Sequence, residues 1–470
     1  MKPIASILLL LLLKTFAFGQ TAKLEWANQM RGSSFDVCQA IALDDGGNVY
    51  ATGYFSATVD FDAGPGVYNL TSVAAEDIFI SKTTPDGKLV WAKSIGDFRY
   101  QAGYAITLDA AKNIYITGIF FGTVDFDPGP GITNLSSAGN VDIFICKLDN
   151  NGNFLWAKKI GGISNDYCNA IVLDKSNNIY LNGYFDNTTD FDPGHGVFNL
   201  TSRGQTDIYV CKLTNAGNLI WAKQIGGPGS EAAYSIGLDD QDNVYSTGFF
   251  FGTTDFNPGP ATASFAATGF GDGFIVKLTA DGNYVKAITM GGNEKVRCTN
   301  LKIDNAGSIY VTGYFDGDAN YNPGSGNVIL SSAPGDDDIF IAKYTLNQEL
   351  VWVKQIAGTS FQKAFFLDVD AAGNIYTTGH FNGTADFDPG PSSFNLTAFG
   401  DPSIFVLKLN AAGNFIWAAQ CGGLFFSTGY CIKADPQNNI YTRYINLPLN
   451  ITWLPYCNPW PEIQVHCFTY

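Results

Sequence analysis

The sequence predicts an all-β fold, a seven-bladed β-propeller of four-stranded repeats, and three observations carry that prediction. Tryptophan recurs at Trp26, Trp91, Trp156, Trp221, Trp352 and Trp417, with Lys286 in the remaining slot, in steps of 65, 65, 65, 65, 66 and 65 residues. A second motif keeps the same spacing: NVYATG from residue 48, NIYITG from 113, NIYLNG from 178, NVYSTG from 243, SIYVTG from 308, NIYTTG from 374 and NIYTRY from 439. The third is DIFISK from residue 77, which returns as DIFICK, DIYVCK, DGFIVK, DIFIAK and SIFVLK from residues 142, 207, 272, 338 and 403.

Each period reads as four short strands. In the third, CNAIVLD (168–174) is strand a and NIYLNGYF (178–185) strand b; DIYVCKL (207–213) is strand c and LIWAKQI (219–225) strand d. Strands b and c are apolar or aromatic at nearly every position, as expected of a strand covered on both faces. A four-stranded sheet sandwiched between copies of itself is a propeller blade. No stretch shows a sustained helical period, which excludes α/β and helical-solenoid folds.

The ends fit a closed ring. Without residues 1–19 about 451 residues remain, roughly seven periods. KLEWANQM (23–30) is a lone d-type strand ahead of the first strand a, while GYCIKAD and NNIYTRY supply only a and b at the other end. The N-terminal strand is therefore expected to complete the last blade and remove its exposed edges. Residues 445–470 diverge from the repeat; EIQVHCF (462–468) could stand in as the missing strand c, or the tail could be unrelated to the repeat. Residues 20–470 are thus expected to form one domain.

Residues 1–19 read as a secretory signal peptide: Lys2, a short apolar run from Ile4 to Leu13, then Ala17 and Gly19 for cleavage before Gln20. The run is too short for a membrane span and no second one follows. A secreted or cell-surface location is expected. With 27 Lys and Arg against 43 Asp and Glu, the net charge is −16, which disfavours nucleic acid and anionic membrane surfaces as partners. The nine cysteines include Cys38, Cys168 and Cys298 at one repeated position and Cys146 and Cys211 at another. They read as buried thiols with room for one bridge, and no CxxC spacing supports zinc.

The recurring LDxxGNIYxTG, TxDFDPGPG, DIFxxKL and NxxWAKxIGG segments resemble the SBBP family, seven-bladed β-propeller repeat proteins common among secreted bacterial proteins. The resemblance spans about residues 23–445. It implies a propeller and an exported location, and no particular chemistry.

The DFDPGPG segment (125–131) lies in the long b–c connection and has five near-copies. Its paired carboxylates suit calcium: Asp60 with Asp62, Asp125 with Asp127, Asp190 with Asp192, and Asp386 with Asp388. The same residues also make a good turn, because Asp accepts backbone N–H bonds, Pro fixes φ and Gly permits φ > 0. Asp255 with Asn257 keeps one carboxylate and Asn320 with Asn322 none, which fits the turn better. Specific recognition of a ligand, a glycan or an extracellular protein, is expected where the units differ, in the d–a loops. Asp97, Arg99, Tyr100, Asp166, Tyr167, Glu231, Glu294, Lys295 and Arg297 are the candidates there. No nucleophile elbow, HExxH, P-loop or dinucleotide fingerprint occurs, so no catalytic residue is assigned. The enzymatic alternative is a glycosidase or lyase pairing carboxylates such as Glu231 and Glu294.

Overall fold

The computed structural model describes residues 21–29, 32, 36–323, 326–400, 402–421, 428–445 and 462–469. The signal-peptide segment and most of the divergent tail lie outside the described residues. Every regular element among them is a strand, and no helix is long and apolar enough to cross a membrane.

Six sheets repeat one antiparallel order, a-b-c-d. Sheet I comprises Asp36–Leu43, Val49–Phe55, Asp77–Thr83 and Leu89–Ile95. Sheet II comprises Gln101–Leu108, Ile114–Phe120, Asp142–Leu148 and Phe154–Gly162. Sheet III comprises Asp166–Leu173, Ile179–Asp190, Asn199–Leu213 and Leu219–Ile225. Sheet IV comprises Glu231–Leu238, Val244–Phe250, Asp272–Leu278 and Tyr284–Gly292. Sheet V comprises Val296–Ile303, Ser308–Phe315, Asp338–Thr345 and Leu350–Gly358. Sheet VI comprises Gln362–Val369, Ile375–Phe381, Ser403–Leu409 and Phe415–Cys421.

The two chain ends share a further sheet, ordered Thr428–Ala434, Ile440–Ile445, Glu462–Thr469, Thr21–Gln29. Glu462–Thr469 occupies the slot that strand c holds elsewhere, yet it runs parallel to both neighbours. A hairpin cannot make a parallel pair, so this strand is not joined to Ile440–Ile445 by a tight turn. No hydrogen-bonded sheet closes on itself among the described residues.

Sheets pack face to face. In Ile114–Phe120 and Asp142–Leu148 every residue is buried. The apolar clusters lie between successive sheets: Ile78 and Ile80 of sheet I meet Ile116 and Phe144 of sheet II. Cys431 and Tyr441 of the terminal sheet join Ile41 and Phe79 of sheet I in the same way. Burying one such side chain contributes about 1.5–3 kcal/mol. Tryptophan reaches across the junctions at the outer strands, except between sheets IV and V, where Lys286 Nζ donates to the Asn347 carbonyl at 2.7 Å. The Trp91 ring lies against Gly152, and Trp156 against Gly217. Trp221 Nε1 donates to the Ala280 carbonyl at 3.2 Å, and Trp26 Nε1 to that of Pro85 at 3.1 Å. The seven cysteines with described side chains are buried.

The long b–c connection folds into a hairpin, Thr58–Asp60 on Asn69–Thr71 in the first unit and Thr123–Asp125 on Asn134–Ser136 in the second. The phenylalanine of DFDPG holds it down. Phe126 is fully buried, 5.3 Å from Phe120 and 5.0 Å from Phe144 between ring centroids. Phe61, Phe191, Phe256, Tyr321 and Phe387 repeat the packing. Hairpins also pair with the preceding strand d, as Gly161 with Asp190 and Gly291 with Asn320.

The aspartates shape the hairpin tip. Asp125 Oδ1 accepts the N–H groups of Asp127 (3.1 Å) and Thr133 (2.7 Å), and Asp127 Oδ1 accepts that of Gly129 (2.8 Å). Asn320 Oδ1 does the same for Asn322 and Val328, both at 3.1 Å. An acceptor oxygen is what the turn requires, and charge is not. Asp125→Asn is therefore expected to leave stability nearly unchanged, whereas Asp125→Ala should cost about 1–2 kcal/mol in urea denaturation.

Candidate functional site

The strands a of successive sheets lie side by side and line a shared channel, and the strand a of the terminal sheet also contacts that of sheet I. Each carries a β-bulge at one and the same repeat position. The register slips between Cys38 and Ala40, Gly103 and Ala105, Cys168 and Ala170, and Ala233 and Ser235. It slips again between Cys298 and Asn300, Ala364 and Phe366, and Gly429 and Cys431. A bulge leaves one residue out of the pairing and re-aims its side chain. The residues so displaced are Gln39, Tyr104, Asn169, Tyr234, Thr299, Phe365 and Tyr430, and all of them line a cavity of about 390 Å³ at the channel mouth.

The glycine of NIYxTG makes the bulge feasible. A Cβ on Gly118 would stand 1.9 Å from the Ala102 carbonyl oxygen, and one on Gly248 1.9 Å from that of Ala232. The next residue along strand b then adds a second tier. Tyr184 and Tyr314 line the mouth together with Tyr167 and Phe366. Tyr167 stacks on Tyr184 with centroids 4.8 Å apart, and Phe365 lies parallel to Tyr430 at 6.1 Å. Tyr234 packs against Phe249 at 5.6 Å. Arg297 spreads over the same Phe249, its guanidinium carbon 4.3 Å from the ring centroid. Lys363 stands over Tyr314 at 4.8 Å.

Burial raises the Tyr104 and Tyr184 hydroxyls above the ordinary tyrosine range and lifts Tyr234 to about 12. The mouth therefore presents neutral phenol groups, each an apolar face with a hydrogen-bonding tip. Gln39, Asn169 and Thr299 add amide and hydroxyl groups. Such a surface can stack on a ring and hydrogen-bond its hydroxyls.

The residues singled out in the d–a loops fall into three groups. Tyr167 lines the mouth, Tyr100 packs edge-on against Tyr54 with centroids 5.6 Å apart, and Arg297 braces the aromatic wall. Lys295 pairs with Asp337 Oδ1 at 2.8 Å, a carboxylate also held by Lys363 at 3.2 Å. Asp97 is taken up by its own loop, accepting from Arg99 N–H (2.8 Å) and Gln101 Nε2 (2.5 Å); Arg99 is exposed, and Glu294, in the loop between sheets IV and V, is half-buried.

Asp166 and Glu231 are different. Neither has exposed surface. Thr189 Oγ1 donates to Asp166 Oδ1 at 2.5 Å and Gly162 N–H to Oδ2 at 2.7 Å, while Thr254 Oγ1 donates to Glu231 Oε1 at 2.8 Å. Both carboxylates fasten the b–c hairpin and do not face the channel. Desolvation lifts each to about 7. The carbohydrate-cleaving pair built on Glu231 thus lacks one accessible member. At the hairpin tips, Asp60, Asp62, Asp190, Asp192, Asp386 and Asp388 accept backbone N–H groups as Asp125 and Asp127 do. Among the described residues no group of three or more His, Cys, Asp or Glu is placed to hold a metal ion.

The bulge residues themselves are not apparent among the unlike loops. Their signal is the strand-interior glycine, which marks a bulge or a close backbone approach.

A repeated all-β sheet with channel-facing bulges defines a β-propeller repeat protein. Residues 220–248, running from strand d of sheet III to the glycine of strand b in sheet IV, match the SBBP β-propeller repeat model, so the chain carries that repeat. An uncharacterized WD repeat-containing protein of Acanthamoeba polyphaga mimivirus is 25% identical over 452 residues, covering 78% of this chain and 32% of the relative. The chain thus spans about a third of that relative's length. Among solved structures, Sqt1 from Chaetomium thermophilum aligns over 90% of this chain and 96% of its own, at 10% identity and a TM-score of 0.43. A protein of unknown function from Bacteroides caccae aligns over 65% and 93%, at 10% identity and 0.29. These two likenesses carry no functional argument.

Proposed function

We propose that the chain is an exported, non-enzymatic binding module: a seven-bladed ring that takes a carbohydrate at its aromatic mouth. One observation carries the reading. Seven copies of a single bulged position turn toward one channel, and they bear unlike residues, Gln39, Tyr104, Asn169, Tyr234, Thr299, Phe365 and Tyr430. A position kept for structure alone would repeat; the tryptophans do. Ring closure draws support from Trp26, which reaches 59 residues ahead to Pro85 as Trp221 reaches 59 ahead to Ala280. Export rests on the apolar run from Ile4 to Leu13 behind Lys2.

Tyrosine faces with amides between them suit a sugar, whose C–H face stacks while its hydroxyls find polar partners. The test is a glycan array followed by titration of the best ligand. Tyr234→Ala with Tyr430→Ala should weaken binding on the order of tenfold, at about 0.5–1.5 kcal/mol per stacking contact, with the melting point held. Binding that ignores both substitutions would remove the mouth from the account.

A protein partner is the second reading, favoured by the exposed Val67, Ile132 and Val197 at one repeated position on the hairpin tips. It predicts capture that survives the tyrosine substitutions and fails when these three become Ser. Calcium at the tips would brace the hairpins. Because both carboxylates of each pair already accept N–H groups, the expected melting midpoint is the same in EDTA as in millimolar calcium. A midpoint that climbs with calcium would place the ion there.

A further inference from the structure

Below the mouth the channel continues into a second cavity of about 180 Å³, which shares Tyr104, Asn169, Tyr234 and Phe366 with the first. The only charged residues lining it are Lys302 and Lys433. In a chain of net charge −16, two ammonium groups without a lining carboxylate are an unexpected choice. They occupy one repeat position in strands a, where other sheets carry Ala42, Thr107, Val172 and Gly237, so the fold itself does not ask for a cation. Asp368 holds that position in sheet VI, on the strand between the two that carry the lysines. Its Oδ1 lies 3.3 Å from Lys302 Nζ, and its Oδ2 accepts the Ala434 N–H at 2.9 Å. One carboxylate therefore serves two lysines, and a positive charge is left over.

We propose that this inner cavity binds an anionic group, a carboxylate or a sulfate or phosphate oxyanion, held between Lys302 and Lys433. Lys302 and Lys433 are half-buried and share one carboxylate, and a bound anion supplies the second counter-charge. The mouth above is the open route in. The inference does not depend on a sugar occupying that mouth, because a free inorganic ion would serve the lysines equally.

The charges also fix a pH dependence. Lys302 is held charged by Asp368, and Asp368 is drawn down from its usual range by Lys302 and Lys433 despite burial. Lys433 is lowered to about 8, first by Lys302 and then by burial, against the pull of Asp368. Cys431, its remaining titratable neighbour, is pushed by burial up to about 12 and stays neutral. Anion affinity should thus fall as pH rises through about 8, where Lys433 loses its proton.

The experiment titrates the full chain with sodium sulfate at constant ionic strength, by calorimetry and thermal shift. Saturable binding is expected at pH 7, weakened at least tenfold at pH 9 and in Lys433→Met and Lys302→Met. No saturable binding at pH 7, or binding indifferent to both pH and the substitutions, would overturn the proposal. The wild-type pH profile keeps the test decisive if a variant fails to fold. Glucuronate and glucose locate the source of the anion. Glucuronate bound more tightly than sulfate, and weakened by both Lys433→Met and Tyr234→Ala, assigns the charge to a ligand seated in the mouth. Sulfate bound as tightly as glucuronate, and unmoved by Tyr234→Ala, assigns it to a free ion.

Discussion

Gly118→Ala is expected to destabilise the protein by about 3 kcal/mol or more, a large effect for one methyl group. The added Cβ would stand 1.9 Å from the Ala102 carbonyl oxygen and 2.9 Å from Gly103 Cα. Both are backbone atoms of a strand hydrogen-bonded to this one and covered by the neighbouring sheets, so no side chain can swing aside. Relief requires flattening the bulge, and that would turn Tyr104 out of the channel mouth. Gly53, Gly183, Gly248, Gly313 and Gly379 face the same 1.9 Å approach. Gly46→Ala is the control: its nearest neighbour is a side-chain oxygen at 3.2 Å, and its cost should stay below about 1 kcal/mol. Urea unfolding measures both. A loss under about 1 kcal/mol for Gly118→Ala would show that the bulge can relax, and the argument for aimed bulge residues would weaken with it.

The strands were legible in the sequence for a physical reason. Strands b and c are covered on both faces, and continuous runs such as IYITGIF and DIFICKL record that directly. The turn in the b–c connection was visible too, through its Asp, Pro and Gly. Its buried phenylalanine was less so, since only packing distinguishes Phe126 from an exposed aromatic. Strand direction in the terminal sheet was hidden. EIQVHCF alternates alike in either direction, so its pattern predicts a slot and not an orientation.

The site was legible in part. Of the unlike d–a loop residues, Tyr167 lines the mouth, whereas Tyr100 packs on Tyr54 and Arg297 covers Phe249. Asp166 and Glu231 stood in the same loops by sequence but turn inward, because threonines of the hairpin 23 residues later take up their oxygens. Contacts at that separation leave no local pattern. The bulge residues leave no such pattern, because a bulge shifts one side chain out of the inside–outside alternation of its strand.

The same inward turn of the acids leads to a prediction about pH. Desolvation raises Asp77, Asp166 and Glu231 to about 7, and Asp272 and Asp338 to about 6, with backbone or side-chain donors lowering each only partly. Each is almost wholly shielded from solvent. A carboxyl whose folded value lies above its unfolded one keeps its proton longer in the native state. Between about pH 4 and 7 the folded chain therefore binds more protons than the unfolded chain, and stability falls as pH rises. One group shifted by about three units corresponds to roughly 4 kcal/mol at pH 8. His380, lowered by burial to about 4, works in the opposite sense below its unfolded value, but it is a single group. The protein should thus be several kcal/mol more stable near pH 5 than near pH 8, the reverse of ordinary acid sensitivity. Glu231→Gln isolates one contribution. The repeat already places Gln101 and Gln362 at this position, both buried, so the amide fits. The variant should gain about 1–3 kcal/mol at pH 8 and little at pH 4, flattening the profile measured by urea unfolding. A variant that loses stability equally at both pH values would show that the carboxylate is held for its hydrogen bonds with no penalty for its charge.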